Sequence, residues 1–491
     1  MDVHQARIDA REGRLSVEQL LDLLEAQEHT IRRLTAEIER LKQRLAPYEP
    51  EIRQEATPPS PLGNPTDAHY SLEAEEKRRR RRRRKKSPGR RPTHLKFADA
   101  QRHEDLYPPG VLPSACQLVR ERVVWRLEEG RAVLVGYRVF RAPGGDEPPI
   151  PEVTPRCEYG IEILVVLAFL VYVIGISLGK ACAVLAFFCQ LPLSRSQANA
   201  LLRQLAQHWD KEFDTLCDLI ARAAVVYMDE TGWKIGNEGC SLWTFASEWQ
   251  RIFLFGCHKN AATLDTILPP DVFAGVGVSD DAAVYQGRFA RAQKCWAHLL
   301  RKAIRLALLY PREQRYQQFL ERLLTLYHDA KRAADDQRLG EAGRKQRVAE
   351  LEGQLCVLCQ PYWQESMPGM KPHERDFANL VNELLERLLD EELFTFVLEP
   401  GVEPTNNFTE RLQRSPAQDR KAGRTSKTAA GAHRRSVIVS VLESLRANLA
   451  QFTLTSVLSE VRRWMDEGIS LFAQQWQAFT ASTTTPVPNT S

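Results

Sequence analysis

The sequence lacks a dense cysteine framework and a signal-like start, and each absence excludes a class of protein. Its ten cysteines are scattered over 491 residues, which suits a reducing cytosol rather than a secreted domain held together by disulfides. Residues 1–5 are polar and begin no apolar core, so we expect no export signal. We therefore predict a cytoplasmic protein.

Long apolar runs are also scarce, and the one that stands out covers residues 161–178. It is interrupted only by Glu162, Gly175 and Ser177, and it is nearly long enough to span a bilayer. Glu162 near its start, Lys180 soon after it and the absence of a second run favour burial within the protein. We predict a buried helix or helical pair and no membrane association, with a membrane protein as the distant alternative.

The overall composition is that of a globular protein, but its charge is unevenly distributed. Hydrophobic residues make up 43% and charged residues 26% of the chain, and its length accommodates roughly two to four domains. The net charge of +4 conceals a run of ten consecutive basic residues at positions 77–86. This run favours DNA phosphates as a partner, through counterion release, over a merely solvated tail. The predicted contacts are Arg78, Arg79, Arg80, Arg81, Arg82, Arg83 and Arg84.

Residues 15–46 carry a heptad pattern that predicts a coiled coil. Ser16 with Gln19 forms a capping-box start, and Pro47 ends the helix. Ile and Val at one seam position with Leu at the other favour a parallel dimer, and a helix packed on its own chain is the alternative. The first seam holds Val17, Leu24, Ile31, Ile38 and Leu45, and the second holds Leu20, Leu34 and Leu41.

The region after the basic run predicts a hairpin followed by two helices. Strands at 118–127 and 132–141 flank a turn at 128–131. Cys116 and Cys157 have no Cys-x-x-Cys partners, so we predict no zinc site here.

Residues 179–207 predict two helices with a break at 191–193, and Ser194 is the expected N-cap of the second. Their spacing fits a DNA-reading helix-turn-helix and equally a plain all-α domain.

From about residue 222 the pattern changes to α/β, and from about 299 it becomes helical. Short apolar strands around a helix at 261–268 predict a mixed sheet with a crossover. Cys356 and Cys359 lie within a helical pattern, and we interpret them as core packing. The predicted strands are 225–228, 241–246, 252–256 and 275–278, and the later helices are 317–333, 341–358 and 376–395.

Three acidic residues lie in contexts that favour metal binding. Asp229 and Asp280 each follow a short apolar run, and Glu410 lies near the start of a helical pattern. Carboxylates that converge from distant segments can hold two magnesium ions, which clamp the attacking and leaving oxygens of a phosphodiester. The alternative roles are turn and helix capping. Asp281 is the alternative to Asp280, and Glu230 is the less favoured ligand.

Five ordered sequence blocks around these acids resemble the signature of the insertion sequence 66 family of bacterial transposases, over roughly residues 155–460. The resemblance implies a ribonuclease H-like core, an Asp-Asp-Glu triad, two Mg²⁺ or Mn²⁺ ions, DNA as substrate and accessory proteins. It also suggests that Cys295, Trp296 and His298 are supporting structure, since zinc would need two further ligands. The blocks are residues 229–233, Asp280 with Tyr285, residues 295–301, residues 405–407 with Glu410 and Arg411, and Arg420 with Lys421.

The segment around Glu410 is rich in basic residues, as expected where a DNA backbone lies beside metal-bound carboxylates. Solvation of the surface is the alternative for any one of them. The predicted DNA contacts here are Arg411, Arg414, Arg420 and Lys421, and the field also includes Arg424, Lys427, Arg434 and Arg435.

Together these features predict a multidomain α plus α/β protein with an N-terminal coiled coil, a helical domain and a ribonuclease H-like mixed-sheet core with a long helical insertion. The predicted domains are the coiled coil (1–46), a Pro-rich linker with the basic run (47–113), a hairpin module (114–155), a helical domain (156–221), the first part of the core (222–300), the insertion (301–400), the end of the core with Glu410 (401–465) and a C-terminal tail (466–491).

The leading functional prediction is a nucleoid-associated DNA transposase that cuts element ends, joins them to target DNA and acts as a homodimer or higher oligomer. One alternative is a DNA-binding regulator with an inactive transposase-like core. Another is a ribonuclease H-like nuclease that cuts without joining. Joined products separate the first from the third, and binding without cleavage would support the second.

Overall fold

The computed structural model describes residues 91–363 and 369–483, and before residue 91 only Arg32 and Thr35. The predicted coiled coil, the Pro-rich segment, the basic run with its seven arginines and residues 484–491 therefore lie outside the described residues. The described chain forms two compact units. The smaller contains residues 91–167 and 178–201, and the larger contains residues 168–177, 202–363 and 369–483.

The smaller unit is built on a three-stranded sheet in the order β1-β3-β2. β2 and β3 form the predicted antiparallel hairpin, which turns at Glu129 and Gly130, both with positive φ. Val124, Val135, Tyr137 and Val139 form its core. The elements are α1 (Thr93–Ala98), β1 (Arg102–Leu106), β2 (Gln117–Glu128) and β3 (Arg131–Arg141).

The long apolar run forms helical segments, as predicted. It contains α2 (Ile161–Ala168) and a π-helical turn (Phe169–Val173), and Gly175 interrupts it at a φ of 74°. The carboxylate of the buried Glu162 accepts from the Leu127 backbone N–H at 3.0 Å and pairs with Arg126 at 2.9 Å. Among the residues that the structure describes, no helix combines the length and apolarity that a membrane span requires.

Two helices follow at the predicted positions, α3 (Leu178–Cys189) and α4 (Arg195–Ile220). Ser194 caps α4 in a reciprocal arrangement. Its hydroxyl accepts from the Gln197 backbone N–H at 3.3 Å, and its own N–H donates to the Gln197 side chain at 3.1 Å. DNA readout by this helix pair stays a prediction.

The larger unit contains a five-stranded mixed sheet in the order β6-β5-β4-β7-β8. β4, β5 and β6 are antiparallel neighbours, whereas β4, β7 and β8 run parallel. A helix, α5 (Ala261–Ile267), makes the crossover from β6 to β7. The strands are β4 (Val225–Ile235), β5 (Glu238–Ala246), β6 (Arg251–Cys257), β7 (Val276–Ser279) and β8 (Arg291–Lys294).

Two features of this sheet differ from the prediction. β4 does not end before Asp229, because it pairs with β5 as far as Ile235 and so carries Asp229 and Glu230 within the strand. β8 is an additional strand whose polar sequence, Arg-Ala-Gln-Lys, gave no apolar signal. Its Gln293 side chain donates to Leu393 O at 3.0 Å and accepts from Phe396 N at 2.9 Å, so contacts about a hundred residues away hold it.

A ladder of serines covers the outer edge of the sheet. The hydroxyls of Ser436, Ser440 and Ser444 lie one helical turn apart on α13 (Ala429–Asn448). They accept from the β6 backbone N–H groups of Phe255, Phe253 and Arg251 at 2.9, 2.8 and 2.9 Å. These bonds satisfy donors that an edge strand would otherwise leave unpaired.

Between β8 and Glu410 lies a helical insertion, which confirms the predicted helical character of this segment. The third predicted helix is shorter than expected: it ends at Leu389 rather than Thr395, and Glu391 has a φ of 59°. Three consecutive acids, 390–392, oppose the negative end of the helix dipole at this point. The helices are α6 (Trp296–Leu309), α7 (Gln314–Asp335), α8 (Glu341–Cys359), α9 (Pro372–Leu389) and α10 (Thr395–Leu398).

In α8, Cys359 is buried as predicted, but Cys356 is exposed, so the core-packing interpretation is wrong for Cys356.

The chain then continues through α11 (Asn407–Leu412), α12 (Arg414–Lys421), α13, α14 (Leu454–Glu467) and α15 (Leu471–Thr483). We predicted a tail from residue 466, yet α15 occupies 471–483. It is anchored by Phe472, which is fully buried and lies 5.9 Å from the Trp464 ring.

Candidate active site

Asp229 and Asp280 lie at the same level of two adjacent parallel strands. β4 and β7 pair Val225 with Val276 and Tyr227 with Val278, an offset that places Asp229 level with Asp280. β7 ends at Ser279, whereas β4 continues to Ile235 and stays paired with β5 over that length. The two carboxylates therefore lie where the parallel part of the sheet ends, which is where ligands bind in sheets of this kind.

Glu410 approaches from a helix that packs on the same face of the sheet as Asp229. Alternate residues of a strand share a face, so Tyr227, Asp229 and Trp233 point the same way. The ring centroids of Tyr227 and Phe408, which belongs to α11, lie 6.1 Å apart, and the Trp233 indole N–H donates to the Ser426 hydroxyl at 3.2 Å. Segment 407–426, which contains Glu410, thus covers the Asp229 face.

A chain of hydrogen bonds links the three segments next to their acids. Cys295 N–H donates to Ser279 O at 2.9 Å, directly before Asp280. Asn406 N–H donates to the sulfur of Cys295 at 3.1 Å, and the Asn406 side chain donates to Met228 O at 2.6 Å, directly before Asp229. Asn406 O then accepts from Glu410 N at 3.3 Å. Buried Cys295 and Asn406 therefore fix the spacing of the three carboxylates.

The acids are close enough to perturb one another. The pKa of Asp229 rises from 3.8 to about 7, first because its carboxyl is buried and then because Glu230, Asp280 and Glu410 repel its charged form. In the described part of the chain, neither Asp229 nor Asp280 forms an ion pair. These half-buried carboxylates are arranged to receive positive charge from outside the chain.

Glu230 is directed to the opposite face, where it is neutralised. Its carboxylate, 4% exposed, forms an ion pair with Lys259 and accepts a hydrogen bond from the hydroxyl of Tyr285. Burial raises the pKa of Tyr285 well above its ordinary value, so the phenol stays protonated and donates. The hydrogen bond to Glu230 raises the pKa of Lys259, which stays charged.

Asp281 belongs to a separate group of charges, which we name the buried ion cluster: Asp281, Lys294, Arg387 and Glu392. Lys294 is 2% exposed and lies 4.0 Å from Asp281 and 3.6 Å from Glu392. Arg387 lies 3.4 Å from Asp281 and 3.1 Å from Glu392. Asp281 therefore pairs with two cations, whereas in the described part of the chain Asp280 forms no ion pair and interacts with Lys259 only at longer range.

Glu410 differs from the two aspartates because basic side chains of α6 contact it. Arg301 donates to its two carboxylate oxygens at 3.1 and 3.2 Å. His298 Nε2 lies 3.7 Å from Glu410 Oε1. Burial raises the pKa of the neighbouring Cys295 thiol, whereas the N–H of Asn406 opposes that shift.

The basic residues around Glu410 fall into exposed and internal groups. Arg411, Arg414 and Lys421 are exposed. Arg420 donates to the hydroxyl of Thr231 at 3.0 Å and to Gly232 O, so it ties α12 to β4 near Asp229.

Arg435, which the sequence pattern includes in the basic field, does not belong to the exposed group. It is buried and pairs with Asp419. Its guanidinium carbon lies 5.0 and 4.9 Å from the ring centroids of Trp233 and Phe255. The residue holds the interior together and is not available to DNA.

Sequence reasoning did not find several charged partners in this region: Lys259, Lys294 and Arg387. Arg387 is near Glu392 in the sequence, but the pairs Lys259–Glu230, Lys294–Glu392 and Arg387–Asp281 join distant positions, and only the folded chain brings them together. Arg301 was part of the 295–301 block, but nothing in that block indicated its contact with Glu410.

The family model described as Transposase IS66 family matches residues 156–434, more than half of the chain. The chain belongs to this family. The predicted family relationship is thereby confirmed, and with it a transposase function in general terms, with DNA as the partner on which it acts. A search of curated proteins finds no significant match.

Proposed function

We propose that this IS66-family chain cuts DNA at element ends and joins those ends to target DNA, using Asp229, Asp280 and Glu410 on a ribonuclease H-like core. The observation that carries the proposal is the level placement of Asp229 and Asp280 on adjacent parallel strands, with Glu410 coupled to Asp229. The mixed sheet, with three antiparallel and two further parallel strands, supports the proposed core.

The donor set fits divalent cations such as Mg²⁺ or Mn²⁺. Its members are carboxylates, the ligands that hard cations prefer, and two of them have no ion-pair partner in the described chain. Asp229, Asp280 and Glu410 would hold the ions. When bound, such ions activate the attacking oxygen and stabilise the leaving oxygen of a phosphodiester.

The surrounding residues keep this carboxylate set available. The proton that Asp229 retains up to about pH 7 is given up when a cation replaces it. Lys259 and Tyr285 engage Glu230, so a fourth carboxylate does not compete for the ions. The bonds made by Cys295 and Asn406 hold the three segments in place before any ion arrives.

A path for the DNA backbone runs beside Glu410. A groove of about 1110 Å³ is lined by Arg222, Arg251, Asn407, Phe408 and Arg411, among others. Arg411 follows Glu410 directly and is exposed, so it can contact a phosphate next to the proposed site. Arg414 and Lys421 extend this basic surface along α12. Contacts by Arg78 to Arg84, a dimer formed through residues 15–46, accessory proteins and nucleoid association belong to the same proposal.

The test uses DNA that carries the native element ends. We expect the purified full chain to cleave and join these ends with Mg²⁺ or Mn²⁺ and to do neither with a chelator. Asp229→Asn and Glu410→Gln should bind the ends with unchanged affinity, measured at fixed salt, yet give products only at background level.

Three results would contradict the proposal. Variants that cleave as well as the parent would exclude these residues as the site. Cleavage without any joined product would favour a nuclease. Tight binding of the ends without cleavage, by a folded parent supplied with metal and a cell extract containing the element's other proteins, would favour an inactive regulator.

A further inference from the structure

Three side chains next to the proposed site form a second, chemically different ligand set. The sulfur of Cys295, a ring nitrogen of His298 and a carboxylate oxygen of Glu410 all lie within 4.8 Å of one another. In the described part of the chain, this is the one group of at least three such residues with this spacing. The sequence around Cys295 and His298 offers no third ligand, and the fold supplies one at Glu410, 112 residues after His298.

The local structure accounts for this convergence. Cys295 immediately precedes α6 and is its N-cap residue, and His298 N–H donates to Cys295 O at 3.1 Å, so both side chains belong to the first helical turn. Glu410 lies in the first turn of α11, which Asn406 fastens to the sulfur. Two short helices thus present their first turns to a common point.

The separations suit a tetrahedral ion. Two ligands that each lie roughly 2.0–2.3 Å from such an ion stand roughly 3.3–3.8 Å apart. His298 Nε2 and Glu410 Oε1 are 3.7 Å apart without any ion. Modest side-chain rotation would bring the sulfur to the same distance, because all three atoms already lie within 4.8 Å of one another.

The surroundings of the sulfur also suit metal binding. The Cys295 sulfur accepts a hydrogen bond from Asn406 N–H, an outer contact that stabilises a negatively charged thiolate.

We propose that Cys295, His298 and Glu410 bind a transition-metal ion, with Zn²⁺ as the best chemical match and one coordination position left open. Thiolate and imidazole favour Zn²⁺ over Mg²⁺, whereas the all-carboxylate set favours Mg²⁺. Glu410 belongs to both sets. If the proposed function holds, zinc occupancy influences the site that Glu410 completes, but zinc binding itself does not depend on that function.

Arg301 makes the proposal sharper because it competes for the same carboxylate. Its guanidinium donates to both Glu410 oxygens at 3.1 and 3.2 Å. Removing this cation frees both oxygens from its hydrogen bonds and removes a positive charge next to the ion. Arg301→Gln should therefore bind the metal several-fold more tightly than the parent.

The test measures metal binding by the full chain, with Co²⁺ as a coloured substitute for the spectroscopically silent Zn²⁺. We expect a thiolate-to-cobalt charge-transfer band that saturates at one equivalent and disappears when Zn²⁺ is added. Cys295→Ser should lose the band, and His298→Ala should weaken binding at least about tenfold. The matched control is Cys356→Ser, since Cys356 is the exposed member of the Cys-x-x-Cys pair in α8 and the more accessible thiol.

The outcomes separate this site from other possibilities. A band that persists in Cys295→Ser, or that Cys356→Ser abolishes, would overturn the proposal, as would no band in the parent. His298→Ala keeps the test valid if Cys295→Ser fails to fold, because His298 is only partly buried. Asp229→Asn should retain the band while losing cleavage, so failure of the proposed function and failure of the zinc site give different results.

Discussion

The carboxylate site (Asp229, Asp280 and Glu410) and the buried ion cluster contain adjacent residues, Asp280 and Asp281. They differ in whether cations of the same chain pair with their aspartates. In the buried ion cluster, Lys294 and Arg387 pair with Asp281 and Glu392, and Arg387 also pairs with the more exposed Asp390 and Glu386. In the carboxylate site, the two aspartates have no ion-pair partner among the described residues, and burial of the carboxyl, followed by repulsion from Glu230, Asp280 and Glu410, raises the pKa of Asp229 to about 7.

The difference shows what each arrangement is suited to do. Buried charges are stable when partners from the same chain compensate them, and such groups hold the structure together. Carboxylates gathered without partners weaken the fold unless a cation arrives from outside. At two adjacent residues, Asp280 and Asp281, the chain therefore joins a carboxylate set that a ligand would complete to a cluster in which cations of the same chain pair with the acids.

The largest expected effect comes from breaking the buried ion cluster. Lys294→Met removes one cation and leaves the acidic side chains of Asp281 and Glu392 with Arg387 alone. Because Lys294 is 2% exposed, the uncompensated charge should destabilise the fold by about 3–5 kcal/mol. Urea unfolding at neutral pH measures this loss.

The control for this experiment is the same substitution at an exposed pair. Lys345 pairs with Glu341 one turn away on α8, and both side chains are largely exposed. Lys345→Met should leave the urea midpoint of the parent nearly unchanged, because solvent screens an exposed pair. Equal effects of the two substitutions would show that Lys294 has no special electrostatic role.

The opposite result is expected in the carboxylate site, where removing a charge should stabilise the metal-free protein. The Asp229 carboxyl ionises near 3.8 in the unfolded chain and near 7 in the folded one. The stability that the neutral carboxyl contributes to the folded protein is therefore fully present below about pH 4 and is lost as the pH rises through about 7. Asp229→Asn removes this loss, so above pH 7 the variant should be more stable than the parent by on the order of a few kcal/mol.

Urea unfolding at several pH values in the presence of a chelator tests this prediction. The two proteins should converge towards pH 4, and added Mg²⁺ should narrow their difference at pH 8 by stabilising the parent alone. A variant that is less stable than the parent at pH 8 without metal would refute the raised pKa of Asp229 in the folded protein.

A smaller effect is expected at Glu230, which lies next to Asp229 but resembles the buried ion cluster in being neutralised. Tyr285→Phe removes the hydroxyl that donates to its buried carboxylate. The loss of a hydrogen bond to a charged acceptor should cost about 1.5–3 kcal/mol. Tyr107→Phe, at an exposed 3.4 Å contact with Asp105, is the control and should leave the urea midpoint of the parent nearly unchanged. Similar losses of stability in the two variants would show that the Tyr285 hydroxyl does not help to neutralise Glu230.

Local patterns predicted those parts of the fold that local interactions determine. The β2–β3 hairpin was visible in the alternation around Glu129 and Gly130, and the start of α4 in the capping residue Ser194. β8 was not visible, because the burial of Gln293 depends on its bonds to Leu393 and Phe396. β4 was cut short, because Asp229 and Glu230 have low strand propensity and only the pairing with β5 extends it.

In the candidate site, too, the sequence predicted the residues that lie in local motifs and did not predict the contacts that depend on the fold. Asp229, Asp280 and Glu410 could be selected from sequence because each lies in a distinctive local block. The sequence could not reveal that Cys295 and Asn406 link those blocks, or that Lys294 and Arg387 distinguish Asp281 from Asp280. These contacts join residues that are distant in the chain, so they exist only once the sheet and its covering helices have formed.

The most direct test of the account compares Asp280→Asn with Asp281→Asn in the joining of native element ends to target DNA. Both changes are isosteric, adjacent and remove one negative charge, so urea unfolding and end binding serve to match the two proteins. We predict that Asp280→Asn forms no joined product, whereas Asp281→Asn retains joining within about tenfold of the parent. Joining by Asp280→Asn, together with its loss in a folded Asp281→Asn protein, would contradict the assignment of the site.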